Sequence, residues 1–374
     1  MKYLLVQADE DGVEQLWGRC AGVEGLFADP VPLPREVLTL RGCRPEGLLN
    51  DVLAAPDVSL RGLGDVCVEV MDDERSVQWW TLVDAVVVAH RPDPADPARY
   101  DIVLGAAVRK EESFVDVPAP QHFELLTATG PAGRCSAVEG LFAPRADPEP
   151  VPMELIGCEA AEPVLVGTQQ PRRWARDQLD LLVLDRQGAV MASRTVGMAI
   201  GGASPSALGE GLEDITLIDG GADRPSPAVR PVWARWYQGP PTEPNLWAPY
   251  DAQGREEWLE LTTRAWREPA PRPDRSGGEY RLDGRFVTDV PGLHCAMAEA
   301  LVGPGRYFGR EWHAFADCLA GGFAVVPPFT LIWQDSEVAR RAPADPASQP
   351  QGLSAYFEDV VRLLERRGVT VVLR

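Results

Sequence analysis

The sequence predicts a multidomain chain. Two tandem β-rich (α+β) homologous units come first, then a connector, then a small α/β domain with a three-stranded parallel sheet covered by helices. Three observations predict this. The chain has 374 residues, more than one hydrophobic core usually serves. Residues 1–222 repeat their own motifs at a nearly fixed spacing. Residues 279–374 alternate strand-like and helix-like runs, which is the pattern of a parallel sheet with helices packed on it.

The repeat is read directly. Gly18-Arg19-Cys20 recurs as Gly133-Arg134-Cys135, and Val23-Glu24-Gly25-Leu26-Phe27-Ala28 recurs intact from Val138 to Ala143. Gly42-Cys43 recurs as Gly157-Cys158, and Asp65 opens a run matched by the one that Asp180 opens. All lie 115 residues apart. Asp101-Ile102-Val103-Leu104 answers Asp214-Ile215-Thr216-Leu217 at a spacing of 113. The expected units are 1–117 and 118–222. Short apolar runs at 66–70, 81–89, 101–108 and 181–184, bounded by Gly, Pro and Asp, read as strands. Val13, Leu16 and Trp17 suggest one helical turn. In Val-Glu-Gly-Leu-Phe-Ala, a glycine turn should anchor Leu and Phe into the core. Two copies are too few for a solenoid.

Residues 223–278 form the connector. Ten prolines between Pro225 and Pro273 disfavour long regular elements. Yet Trp233, Trp236, Trp247, Trp258 and Trp266 lie here, five of the chain's eleven Trp, and pure linkers are poor in aromatics. The segment should therefore pack on its neighbours. A helix is expected over 254–267, with Pro269 stopping it and a flexible hinge over Pro269–Gly278.

In the last domain, Tyr280-Arg281-Leu282 reads as a strand end. Thr288 or Asp289 caps a helix with Pro291 in its first turn, ended near Leu301 by Gly303-Pro304-Gly305. A second helix is expected from about Phe308. Phe308, Trp312, Phe315 and Leu319 fall at i, i+4, i+7 and i+11, a buried stripe. Arg310, His313 and Asp317 lie on the opposite side at 100° per residue. Gly321-Gly322 stops this helix. Phe329–Trp333 should be a buried strand. Leu353, Tyr356, Phe357, Val360 and Leu364 mark a last helix, and Val369–Leu373 a closing strand.

The run Tyr307-Phe308-Gly309-Arg310-Glu311-Trp312-His313-Ala314-Phe315-Ala316-Asp317-Cys318-Leu319, with Gly321 beyond it, resembles the binding helix of the barstar family of ribonuclease inhibitors. Tyr307, Gly309, Ala314, Asp317, Cys318, Leu319 and Gly321 match the family motif in place, and the order of elements over 279–374 is the same. The resemblance implies that this helix and the loop before it plug a ribonuclease active site. It implies that Tyr307 packs on the enzyme and that Asp317 enters the phosphate pocket as an anion mimic. Tyr307, Gly309, Glu311, His313, Asp317 and Gly321 are the expected partner-binding residues. The chain departs from the family pattern at Glu311 (for an amide), His313 (for a second acid), Ala316 (for an aromatic) and Ala320 (for a hydroxyl). Leu363 and Arg367 stand where the last helix offers acids.

Charge and composition narrow the function classes. A formal net charge of −20 repels phosphate, so no direct nucleic-acid binding is expected, and a basic partner is favoured. The acid is uneven: 277–374 holds 12 Asp+Glu against 10 Lys+Arg, so nearly all the excess lies in the first 276 residues. No window approaches 18 uninterrupted apolar residues, and no membrane span is expected. The short apolar run at the N-terminus does not read as a signal peptide. The seven Cys are scattered without a CxxC pair. This pattern fits free buried thiols in a reducing cytoplasm better than a disulfide frame or a zinc site. No P-loop, G-x-S-x-G or H-E-x-x-H motif is present. The four His, at 90, 122, 294 and 313, sit near no recognisable nucleophile. No cofactor, no metal and no enzyme activity are expected. The barstar resemblance, set beside this composition, implies an immunity-type protein whose partner is a ribonuclease or ribonuclease-like toxin. The alternative is an interaction or scaffold protein whose last domain binds some other partner.

Overall fold

The computed structural model describes residues 2–8, 14–29, 32–55, 62–72, 75–110, 122–127, 130–145, 151–160, 178–197, 199–218, 224–266, 273–342 and 352–374. In chain order the first expected unit gives β1 (Tyr3–Ala8), β2 (Glu14–Glu24), β3 (Arg35–Pro45), α1 (Gly47–Leu53), β4 (Gly62–Asp72), β5 (Arg75–Pro92) and β6 (Tyr100–Lys110). The second gives β7 (His122–Thr127), β8 (Gly130–Cys135), β9 (Ala137–Glu139), β10 (Met153–Ala160), β11 (Gln178–Leu184), β12 (Val190–Gly197), β13 (Ile200–Pro205) and β14 (Glu213–Leu217). Of the expected helical turn, Val13 lies outside the described residues, and Leu16 and Trp17 belong instead to the start of β2. Leu16 there is exposed and Trp17 buried, the two-residue alternation of a strand rather than a helical stripe.

The chain divides into two compact units. One is 31–148 with 343–352; the other is 1–30, 149–342 and 353–374. Each holds a seven-stranded antiparallel sheet built from strands of both expected units. The order is β6-β5-β4-β7-β8-β3-β9 in the first unit, where an additional β3–β6 pairing closes the sheet on itself. It is β12-β11-β1-β2-β10-β14-β13 in the second. The pairings correspond: β1 lies beside β11 as β7 lies beside β4, and β2 beside β10 as β8 and β9 lie beside β3. Even the irregularities agree. The β1–β2 register slips between Leu5 and Val6, and the β7–β8 register between Leu125 and Leu126. The glycine turns keep positive φ at Gly25 (+78°) and Gly140 (+89°). Each buries its leucine, Leu26 or Leu141, while Phe27 is half-buried and Phe142 is 49% exposed.

The cysteines differ from expectation. Cys20 and Cys158 are joined as a disulfide, while Cys43, Cys67, Cys135, Cys295 and Cys318 are free. Composition could not show this, because the bond joins a strand of one repeat to a strand of the other. Register alone brings them together, with Cys20 opposite Cys158 in the β2–β10 pair. The bond also removes the ground for inferring a reducing compartment.

The second unit continues into the connector. Helices α2 (Arg230–Trp236) and α3 (Ala252–Trp266), with Trp247 of the segment between them, bury Trp233, Trp236, Trp247 and Trp258 in one core with the sheet residues Leu181 and Val196. Arg194 of β12 pairs with Glu257 of α3 at 2.6 Å, and the Trp233 indole N–H donates to the same carboxylate at 2.7 Å. Burial pushes the Glu257 carboxyl above its usual range, against the Arg194 charge. The expected hinge is partly a fixed strap. Residues 267–272 lie outside the described residues. Arg275, however, pairs with Val325 in a parallel bridge, and the Asp274 carboxylate accepts from Gly322 N (2.8 Å) and Ala324 N (3.0 Å).

The last domain has the expected parallel sheet, in the order β15 (Glu279–Asp283), β16 (Thr330–Gln334), β17 (Thr370–Leu373). Its helices are α4 (Val290–Val302), α5 (Trp312–Cys318), α6 (Ser336–Arg341) and α7 (Gly352–Arg366). Asp289 caps α4, accepting from Gly292 N at 2.7 Å, with Pro291 in the first turn. Nearly every residue from Val290 to Ala298 is buried, so α4 is the central helix. Arg255 of α3 reaches across to this cap, 2.5 Å from Asp289 and 2.8 Å from Thr288, with its guanidinium over the Trp247 ring at 5.2 Å. Its side chain is 7% exposed, against 23% for Asp289. Arg255→Ala should therefore lower stability by about 2 kcal/mol, below the usual cost of breaking a buried pair because Asp289 keeps some solvent. Urea unfolding of the full chain measures this.

Candidate partner-binding site

The candidate face is one loop and one short helix. Gly303, at φ +99°, ends α4 and returns its N–H to Ala298 O and Glu299 O. The loop then brings Tyr307 half-buried against Phe323, with ring centroids 5.9 Å apart, and Phe308 fully buried against Phe315 at 6.0 Å. Burial pushes the Tyr307 hydroxyl up to about 12, so it acts as a neutral aromatic.

The helix begins four residues later than its apolar stripe suggests. Gly309 takes φ +80°, in the left-handed region that breaks a helix, and Glu311 is the cap. The Glu311 carboxylate accepts from His313 N (2.8 Å) and Ala314 N (2.5 Å). Burial raises this group, but the two backbone N–H groups outweigh it and hold the carboxyl below its usual value. Glu311 thus spends its charge on orienting α5. Phe315 and Cys318 face the core, and Trp312 lies half-buried with its ring edge-on to Tyr356 at 5.9 Å.

A Cβ on Gly309 would collide with the backbone of Phe315 and Ala314. This residue sets how closely the loop lies on α5. Gly309→Ala should cost about 2 kcal/mol or more from the strained φ and the collision together. Chemical denaturation reads the loss. Gly321, at φ +131°, likewise shapes the turn that leaves α5.

The outward side carries the rest. His313 and Asp317 are exposed one turn apart. The Asp317 carboxylate takes no ion-pair partner among the described residues, and its charge helps burial push the Cys318 thiol up to about 12. Arg310, expected on the same side, is held by an ion pair to Glu260 of α3. Leu363 is buried in α7, so this departure from the acidic pattern belongs to the core. Arg367 is exposed. The predicted residues thus take two roles. Asp317, His313 and part of Tyr307 reach solvent, whereas Gly309, Gly321 and the exposed Glu311 build the platform.

Behind the platform lies a group the sequence did not mark as structural. His294 of α4 is fully buried. Its Nε2 is 2.8 Å from the Tyr356 hydroxyl, and its ring lies edge-on to Phe315 at 5.8 Å. Its Nδ1 meets no partner at hydrogen-bonding geometry, and the Gly309 backbone lies near the ring. Among the described residues, no group of three or more His, Cys, Asp or Glu is placed to hold a metal ion.

Residues 279–374 match the family Barstar (barnase inhibitor). This segment is barstar-like. The match begins at the first residue of β15 and ends with the chain, so it takes in the whole parallel sheet, α4 to α7 and the exposed face of α5. It covers about a quarter of the chain and neither seven-stranded sheet. No curated protein matches the chain.

Proposed function

We propose that the barstar-like domain binds and blocks a ribonuclease or ribonuclease-like toxin, as an immunity-type protein. The observation that supports this is the exposed Asp317 carboxylate, without an ion-pair partner among the described residues, on a helix fixed by Glu311, Gly309 and the Phe308–Phe315 contact. A ribonuclease gathers cationic groups to hold phosphate. A carboxylate on a rigid helix satisfies those groups without being cleavable. Tyr307 supplies a half-buried aromatic surface on the loop before this helix, as interface anchors commonly do. His313 contributes a polar rim contact and no second anion. The net charge of −20 accelerates capture of a basic enzyme at low salt.

The test titrates the full chain into a basic ribonuclease of the barnase type and follows RNA cleavage. Stoichiometric loss of activity with Asp317 intact supports the proposal. A panel of such enzymes left uninhibited, together with a stable complex on a partner that is no nuclease, would move the domain to the interaction role.

A further inference from the structure

The two seven-stranded sheets place cysteine pairs at corresponding points. In one, Cys20 of β2 lies opposite Cys158 of β10 and is bonded to it. In the other, Arg44 lies opposite Arg134 and Arg41 opposite Ala137, a single register kept through β8 and β9. That register sets Cys43 opposite Cys135. Both are buried, at 0% and 1% exposure. The sequence repeat carries Cys20 onto Cys135 and Cys43 onto Cys158. The two positions are therefore one site, occurring twice with the strands taken from opposite repeats.

We propose that Cys43 and Cys135 form a second structural disulfide, the counterpart of Cys20–Cys158. In the reaction, two thiols lose two protons and two electrons and one S–S bond forms in the protein. The oxidant is a small-molecule disulfide, whose own S–S bond breaks to give two thiols. A mixed disulfide on one cysteine, attacked by the thiolate of the other, is the intermediate. The facing Cys43 thiol and burial push the Cys135 thiol well above its usual value. A thiolate is therefore scarce once the sheet has closed, and the bond forms during folding. It closes a loop of about 90 residues, long enough to constrain the unfolded chain substantially. It would tie β8 of the second repeat to β3 of the first, as Cys20–Cys158 ties β2 to β10.

The experiment uses the full chain. It is reduced and unfolded, refolded in a glutathione and glutathione-disulfide buffer, alkylated under denaturing conditions and mapped by peptide mass. The expected product carries alkylated Cys67, Cys295 and Cys318, one cross-linked peptide pair holding Cys43 and Cys135, and another holding Cys20 and Cys158. Alkylation at both Cys43 and Cys135, or linkage of either to another cysteine, overturns the proposal. A second measurement separates the bond from the packing. The double variant Cys43→Ser, Cys135→Ser should melt below the wild-type chain after oxidative refolding, and the gap should largely close once both are reduced. An equal gap in both conditions assigns the effect to packing and overturns the bond.

Discussion

Asp317→Ala is expected to weaken inhibition of a sensitive ribonuclease by about 30-fold or more. The equivalent is about 2 kcal/mol. It is the low end of the range for removing one partner from a buried, hydrogen-bonded charge pair, a range that draws on the barnase–barstar complex itself. The size follows from what stays behind. The cationic pocket that the carboxylate would enter is left desolvated and unpaired, and this penalty exceeds the net worth of the contact. Asp317→Asn should lose a similar amount, because the shape remains and the charge does not. Glu210→Ala is the control. It removes the same unit of charge from an exposed turn between β13 and β14 and should change affinity by less than about threefold, mainly through a slower on-rate. Inhibition constants measured at fixed salt decide it. An unchanged constant for Asp317→Ala, or an equal loss for Glu210→Ala, would reduce the proposed anion mimic to bulk electrostatics.

The face that Asp317 occupies was legible because helical periodicity separates it from the stripe that contains Phe315 and Leu319. The start of the helix was not. Glutamate is a weak N-cap by propensity, so nothing in the local sequence set Glu311 apart from the residues around it. The left-handed Gly309 just before it was readable only as a motif match. The family resemblance gave Leu363 as a missing acid, and burial shows it as part of the packing of α7. In the first 222 residues the strand content was plain, and recurring motifs suggested two copies. What one sequence cannot say is which copy's strands pair with which. Two similar strands offer similar partners, and the choice is settled by chain connection and register. The Cys20–Cys158 bond is a consequence of that choice. Its spacing of 138 residues has no local signature.

The second large effect is on acid stability. It should appear between about pH 6.5 and pH 4. Burial holds the His294 imidazole down at about 4, outweighing the nearby Glu311 charge and the Gly309 backbone, both of which favour the proton. The groups around the ring are the Tyr356 hydroxyl, itself pushed up by burial, the Glu311 carboxylate and the faces of Phe315 and Tyr356. None offers a full ion pair. As pH falls below the unfolded value of about 6.5, the unfolded chain takes up a proton that the folded chain refuses. Stability is then lost at up to about 1.4 kcal/mol per pH unit, roughly 3 kcal/mol by pH 4. Glu256, Glu257 and Glu299 act in the opposite sense. Burial raises all three, so their contribution is present at low pH and fades as pH rises. The wild-type curve is therefore a sum, and the informative quantity is its difference from His294→Gln, which cannot titrate. Urea unfolding of both proteins at pH 7 and pH 4.5 should show the wild type losing about 2 to 3 kcal/mol more than the variant over that interval. Parallel losses would mean that the ring finds a proton acceptor when the domain is folded. Because His294 lies directly under Phe315 and against the Gly309 loop, the same acid transition should loosen the helix that presents Asp317. Inhibition should then weaken over this pH range in the wild type and less in the variant.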